Sequence, residues 1–316
     1  MSAAELGRVE ISRVGGARRS PLRAAWKART PYLFLSPALI VLGIIILYPI
    51  FFNLDLSFRD VKLIAQTTGP LVGLKNYAYL ATDEDFWNSM RVSAVFTALS
   101  VPVAFLCGLG VALLMNELGR TRSFFLTLLL IPWIISPVVT GYAWRWIYND
   151  QFGLLNKVLT DLHVIDQYVG WLAAPDSAMA ALIVANVWRF IPYIMVMLLA
   201  GLQSVPPELY EAAEVDGAGV WARFVNVTVS ELRYVMGVVM LFSLIWSFND
   251  FALPYILTQG GPSKATTVLP ILVYRVAFEA LRLGRGAALA MIILVVLLFF
   301  ALVYVRRLLS EETKGA

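Results

Sequence analysis

Two clusters of polar and ionisable side chains interrupt long apolar stretches of the sequence. Asn186, Trp188 and Arg189 form one, and Trp246, Asn249 and Asp250 form the other. Asn186 and Arg189 are three residues apart, so on a helix they share a face. Trp246, Asn249 and Asp250 fall within about one helical turn. Ionisable groups at membrane depth are costly, and they mark either a pathway or a structural pair. Aromatic rings beside amides and a carboxylate suit a polyhydroxylated solute. The rings stack on the CH faces of a sugar, and the polar groups match its hydroxyls. An Arg189–Asp250 structural pair, or tryptophans at a membrane interface, would account for the same residues without any ligand.

Other chemistry has little to stand on. Cys107 is the single cysteine and His163 the single histidine, so no intrachain disulfide and no Cys/His metal centre is expected. No set of residues of the kind that activates water or a nucleophile is present, so no catalytic and no metal-binding residue is assigned. Gly260-Gly261-Pro262-Ser263-Lys264-Ala265-Thr266 has the look of a phosphate-binding loop. It lacks the Gly-Lys-Ser/Thr core and follows no strand, so no cofactor is expected on this chain.

The elements that must position these residues are membrane helices. The chain has 316 residues, 59% hydrophobic against 15% charged, with a mean hydropathy of +0.75. A soluble domain carries about a quarter charged residues, so the solvent of this chain is partly lipid. The net charge of +4 is not gathered on a basic face, which excludes nucleic acid as a partner. A membrane helix needs about 20 mostly apolar residues. Six stretches qualify, near Tyr32–Leu56, Met90–Met115, Phe124–Ile147, Met179–Leu202, Tyr234–Thr258 and Gly286–Val305. The fold class is therefore an all-α integral membrane protein, a six-helix transmembrane bundle. Residues 1–31 read as a cytoplasmic tail and not as a cleavable signal, because the apolar run that follows is too long. Arg and Lys in that tail, Arg120 and Arg122 between spans two and three, and Arg306 and Arg307 after span six all fall on one side. The positive-inside rule makes that side the cytoplasm, with both termini on it. Loops near Lys62–Phe86, Asp150–Ser177 and Gln259–Arg282 then lie outside.

The connection between spans four and five, 204–233, is the most informative stretch. Pro206 and Pro207 suit the opening of a helix, whose first turn needs no amide donors. Glu208 and Glu211 sit where the helix dipole favours negative charge. Ala212 and Ala213 keep one surface small. Asp216-Gly217 signals a turn in which glycine is free to take positive φ. A second short helix with Val220, Trp221, Phe224 and Val225 is expected after it, giving a helix–turn–helix at the cytoplasmic membrane surface.

Glu211-Ala212-Ala213, followed after two residues by Asp216-Gly217-Ala218, resembles the EAA loop of permeases in binding-protein-dependent ABC importers. Phe224 and Val227 continue the match. Val229-Ser230 stands where the family has Leu-Pro, and Tyr234 where it has a later proline. Gly73-Leu-Lys-Asn-Tyr77, Phe86-Trp87-Asn88, Ile131-Pro-Trp133, Trp144-Arg-Trp146, Gly153-Leu-Leu-Asn156 and Leu257-Thr-Gln-Gly-Gly-Pro262 resemble the maltose and glycerol-phosphate permease branch. The resemblance spans roughly residues 32–306, which makes that stretch the permease domain and 307–316 a cytoplasmic C-terminal tail.

The resemblance implies a type I ABC importer permease in the bacterial cytoplasmic (inner) membrane, embedded in membrane lipid. It implies a second homologous permease, two copies of an ABC ATPase carrying ATP and Mg, and an extracytoplasmic solute-binding protein. Glu211, Ala212, Ala213, Asp216, Gly217 and Ala218 become the ATPase-coupling residues. Asn186, Trp188, Arg189, Trp246, Asn249 and Asp250 become the candidate substrate pathway. A disaccharide, another oligosaccharide, a glycerol-phosphate or a sulfonated sugar all fit as solute. The rival readings are a secondary transporter or channel without an ATPase, and a polytopic membrane enzyme.

Overall fold

The computed structural model describes residues 33–64, 69–119 and 121–315, with side chains described as far as Arg307. The N-terminal tail expected over 1–31 and Arg120 therefore lie outside the described residues, as do the side chains of the C-terminal tail beyond Arg307. The described residues are helical, with no strand among them. The chain divides into two units, residues 1–52 and 53–316. The described part of the first unit belongs to the apolar helix α1, Leu33–Ser57, whose side chains are exposed along most of its length.

The second unit is built around two long helices. Helix α3 spans Glu84–Glu117 and follows the short α2, Lys75–Thr82. Helix α7 spans Pro175–Leu202, and 67% of its apolar window is buried inside the protein. That burial makes α7 the central post of the unit, because a lipid-facing helix would expose most of its window. Ala104, Phe105, Leu109 and Ala112 of α3 pack on Ile194, Leu198 and Leu202 of α7. Gly108 lets the two backbones approach: a Cβ there would stand 2.6 Å from Ile194 Cγ2. In lipid the hydrophobic effect does not drive helices together, so close packing at small residues has to.

Two expected spans and one expected loop helix differ in the structure. The third is two helices, α4 (Arg122–Ile134) and α5 (Pro137–Ile147), bent by 94° at Ile135–Ser136. Pro137 explains the break, since the residue before a proline is disfavoured in the α region. Ser136 accordingly takes ψ 138° and Ile135 ψ 135°. The fifth span is displaced toward the N-terminus. Helix α9 runs from Val220 to Phe248, and a separate short helix α10 covers Ala252–Thr258. The chain breaks at Asn249–Phe251 because asparagine and aspartate compete with the helix for backbone groups. Asp250 Oδ1 accepts from the Leu253 amide at 3.4 Å, in the first turn of α10. The segment after Gly217 is likewise no separate surface helix. Val220 begins α9, which passes through a wide turn at Phe224–Val229 into the long apolar span.

The remaining elements are α6 (Leu154–Asp161), α8 (Pro207–Val215), α11 (Leu269–Tyr274) and α12 (Leu283–Gly315). Among the described residues, long apolar helices thus number five, or six if the bent pair α4–α5 is taken as one broken span.

Candidate functional site

The α9–α10 break brings most of the predicted polar residues together. Arg189 on α7 forms an ion pair with Asp250 at the break, and both side chains are less than a tenth exposed. The guanidinium also donates to Asn186 Oδ1 at 3.1 Å. Asn186 in turn donates through Nδ2 to Ser247 Oγ at 3.1 Å. Two helices are therefore joined by a chain of hydrogen bonds, Asp250–Arg189–Asn186–Ser247. Asn186 is wholly buried and supports this network without reaching a free surface.

Beside the network lies a concavity of about 500 Å³. Arg189, Trp246, Asn249 and Asp250 line it, together with Trp133, Pro137 and Phe190. The bend after α4 and the break after α9 both open onto it. Trp246 is 42% exposed and Trp133 47%, so an aromatic surface is available to a solute. Tyr193 props both rings from behind, with its centroid 4.9 Å from Trp246 and 5.8 Å from Trp133.

Trp188 does not join this set. It lies about 100° around the helix from Arg189 and packs edge-on against Trp144, 5.7 Å between centroids. Trp133, Phe190, Tyr193 and Ser247 belong to the site or its support and were missed as site residues. Trp133 carried a visible signal, an indole three residues before Ser136-Pro137, but only the break aims it at this concavity.

The loop with the predicted coupling residues forms a second locus. Pro207 starts α8, and the helix ends in two hydrogen bonds that satisfy its last carbonyls. Gly217 N donates to Glu214 O at 3.0 Å, and Ala218 N donates to Ala213 O at 2.9 Å. This is a Schellman closure, which requires a left-handed residue, and Gly217 has φ +79°. Tyr210 Oη and Thr228 Oγ1 are 3.0 Å apart, and Arg223 donates to Glu214 Oε2 at 2.8 Å. These contacts fix α8 on the beginning of α9. Glu211, Ala212, Asp216 and Gly217 are exposed, while Ala213 and Ala218 are half-buried. Val215, Val220 and Trp221 around them are 88%, 77% and 74% exposed. Apolar residues exposed in a contiguous patch mark an interaction surface.

The loop that resembled a phosphate cradle is held differently. Lys264 Nζ stands 2.5 Å from Asp85 Oδ1, and its carbonyl accepts from Asn88 Nδ2 at 3.1 Å. Thr266 Oγ1 donates to Gly261 O at 2.7 Å and Thr267 Oγ1 to Gly260 O at 2.8 Å. The loop is thus closed on itself and pinned to the first turns of α3.

Comparison with known proteins converges on one family. The profile described as "Binding-protein-dependent transport system inner membrane component" matches residues 100–314. The chain is 36% identical over 284 residues to the trehalose/maltose transport system permease protein MalF of Thermococcus litoralis, covering 89% of this chain and 94% of that one. It is 33% identical over 280 residues to the sulfoquinovosyl glycerol transport system permease protein SmoG of Agrobacterium fabrum, covering 89% and 90%. Among solved structures, a chain of a bacterial ABC transporter involved in the import of the acidic polysaccharide alginate superposes with a TM-score of 0.74 at 23% identity, covering 90% of this chain and 99% of that one. That last likeness is one of fold.

Proposed function

The chain belongs to the family of binding-protein-dependent transport system inner membrane components, and from that premise we propose that it forms one half of the path by which an ABC importer carries a sugar or sugar-like solute inward. It is an inner-membrane permease with several apolar helices. The paired partners are a second homologous permease, two ATPase subunits and an extracytoplasmic binding protein. The chain binds no cofactor itself, and ATP and Mg belong to the ATPase subunits. Both termini are cytoplasmic. Relatives named for trehalose/maltose and for sulfoquinovosyl glycerol transport support a glycosidic solute.

The observation that carries this reading is the exposed α8 turn. It is closed by its own backbone hydrogen bonds and tied to α9 through Tyr210–Thr228 and Arg223–Glu214, yet Val215, Val220 and Trp221 lie open around Glu211 and Ala213. A preformed knob with apolar sides and a carboxylate suits a groove on an ATPase. Closure of the two ATPase subunits would move that knob, and α9, continuous with it, would carry the motion to Trp246 and the Asn249–Asp250 break. Such a motion requires that the loop make different contacts in the two states. In the outward state the concavity beside Arg189 and Trp246 receives solute, and in the inward state it releases it.

The test is uptake by the reconstituted importer in liposomes. Transport should need both ATP and the binding protein. Uptake driven by an ion gradient alone, with neither added, would make the chain a secondary transporter or channel instead.

A further inference from the structure

We propose that the concavity beside the α9–α10 break selects uncharged saccharides, because the cation and the carboxylate at its wall neutralise each other. The inference rests on reading that concavity as part of the solute path. Among the described residues that line it, the charged side chains are Arg189 and Asp250. They form an ion pair with each other, and each side chain is less than a tenth exposed. Arg189 is further held by Asn186 Oδ1, and Asp250 Oδ1 accepts from the Leu253 amide.

An anionic solute leaving water needs a cation to replace its hydration. Arg189 already shares its charge with Asp250, whose buried carboxylate would stand beside an incoming anion and repel it. The low dielectric that strengthens the internal pair strengthens that repulsion equally. A cationic solute meets the same obstacle with the signs exchanged. A neutral sugar asks for none of this. The exposed indoles of Trp246 and Trp133 offer faces for its CH surfaces, and the exposed amide of Asn249 offers both a donor and an acceptor. Phosphorylated, sulfonated and uronic sugars are therefore disfavoured by this half of the path, whereas a neutral di- or oligosaccharide fits it.

The experiment uses the complete permease–ATPase complex, purified from its own membrane into lipid nanodiscs. Tryptophan emission is titrated with maltotriose and, at matched ionic strength, with trigalacturonate. Trp246→Phe identifies the part of the signal that arises at this wall. Maltotriose should change the emission at concentrations about tenfold below any response to trigalacturonate, a difference of about 1.4 kcal/mol in binding. Asn249→Lys adds an unpaired cation at the rim and leaves the Arg189–Asp250 pair untouched. It should raise trigalacturonate binding at least about tenfold, and added salt should erase the gain. Equal or tighter binding of trigalacturonate by the wild-type complex overturns the charge selection while leaving the concavity as a sugar site. Failure of both sugars to alter the Trp246 signal, in a complex that still hydrolyses ATP, overturns the reading of the concavity itself and the inference with it.

Discussion

Arg189 on α7 and Asp250 at the end of α9 are ion-paired in the interior, and through Asn186 and Ser247 the same network ties the central helix to the break in its neighbour. A helix broken at membrane depth frees backbone groups that have to find partners within the protein. The pair therefore does more than cancel charge. It fixes where α9 stops and where Trp246 and Asn249 face the concavity.

Removing one member should expose that role. Arg189→Ala leaves Asp250 buried and unpaired, which costs about 3–5 kcal/mol. The purified complex should unfold at a clearly lower temperature and be recovered in lower yield. Arg189→Met with Asp250→Leu should recover most of the stability, because a neutral pair of similar volume has no charge to strand. Unchanged thermal stability in the single variant would show that the pair is not structural.

Trp246→Ala should act differently. The ring is 42% exposed and stands at the wall of the concavity, propped by Tyr193. Its loss should sharply reduce uptake while the complex with the ATPase purifies normally. Asn249→Ala should do the same more mildly. Wild-type uptake in both variants would remove this wall from the pathway.

Gly108 tests the packing of the two long helices. Its Cα faces Ile194, and a Cβ would meet that side chain at 2.6 Å. Gly108→Leu should destabilise by about 1–3 kcal/mol through overpacking. Gly108→Leu combined with Ile194→Ala should recover part of the loss. A melting temperature unaffected by Gly108→Leu would mean that α3 and α7 are not in close contact.

Orientation is checked by labelling. In a Cys107→Ser background, single cysteines at Thr82 and His163 should react with an impermeant thiol reagent in intact cells, and one at Thr121 should not. All three positions are exposed in the structure. Labelling of Thr121 with protection of the other two would invert the topology.

Much of this architecture is legible in the sequence because lipid imposes a simple code. Runs of about 20 apolar residues mark spans, and the expected spans near 32–56, 90–115, 179–202 and 286–305 each fall on one helix, α1, α3, α7 and α12, with α3 beginning six residues earlier than expected and α12 ending ten later. The turn after Val215 is legible for a local reason, since Asp216-Gly217 supplies the left-handed position that a Schellman closure needs. The break at Pro137 and the early end of α9 are not legible in the same way. An apolar run reads alike whether it is one helix or two, and Asn249-Asp250 looks the same inside a span as at its end. Trp188 shows the limit of reasoning by neighbourhood. It is the immediate neighbour of Arg189 in the chain, yet a helix turns it toward Trp144. Tyr193 and Ser247 gain their roles only from contacts made across helices, which no local spacing reveals.

Gly217 and the residues beside it carry the central claim, that α8 and its turn are where an ATPase drives this permease. Gly217→Val places a β-branched residue at φ +79° and should strain the turn by about 1–2 kcal/mol or more. If an ATPase docks here, Ala213→Trp would obstruct its close approach, and Glu211→Lys would reverse the charge available to a basic group on it, where a charge-assisted hydrogen bond is the stronger kind. The decisive measurement is co-purification of the ATPase together with ATP-dependent uptake in Glu211→Lys, Ala213→Trp and Gly217→Val. The account predicts normal membrane insertion in all three, with the ATPase either lost from the complex or hydrolysing ATP without transport. Full retention of the ATPase with wild-type uptake in all three would contradict it.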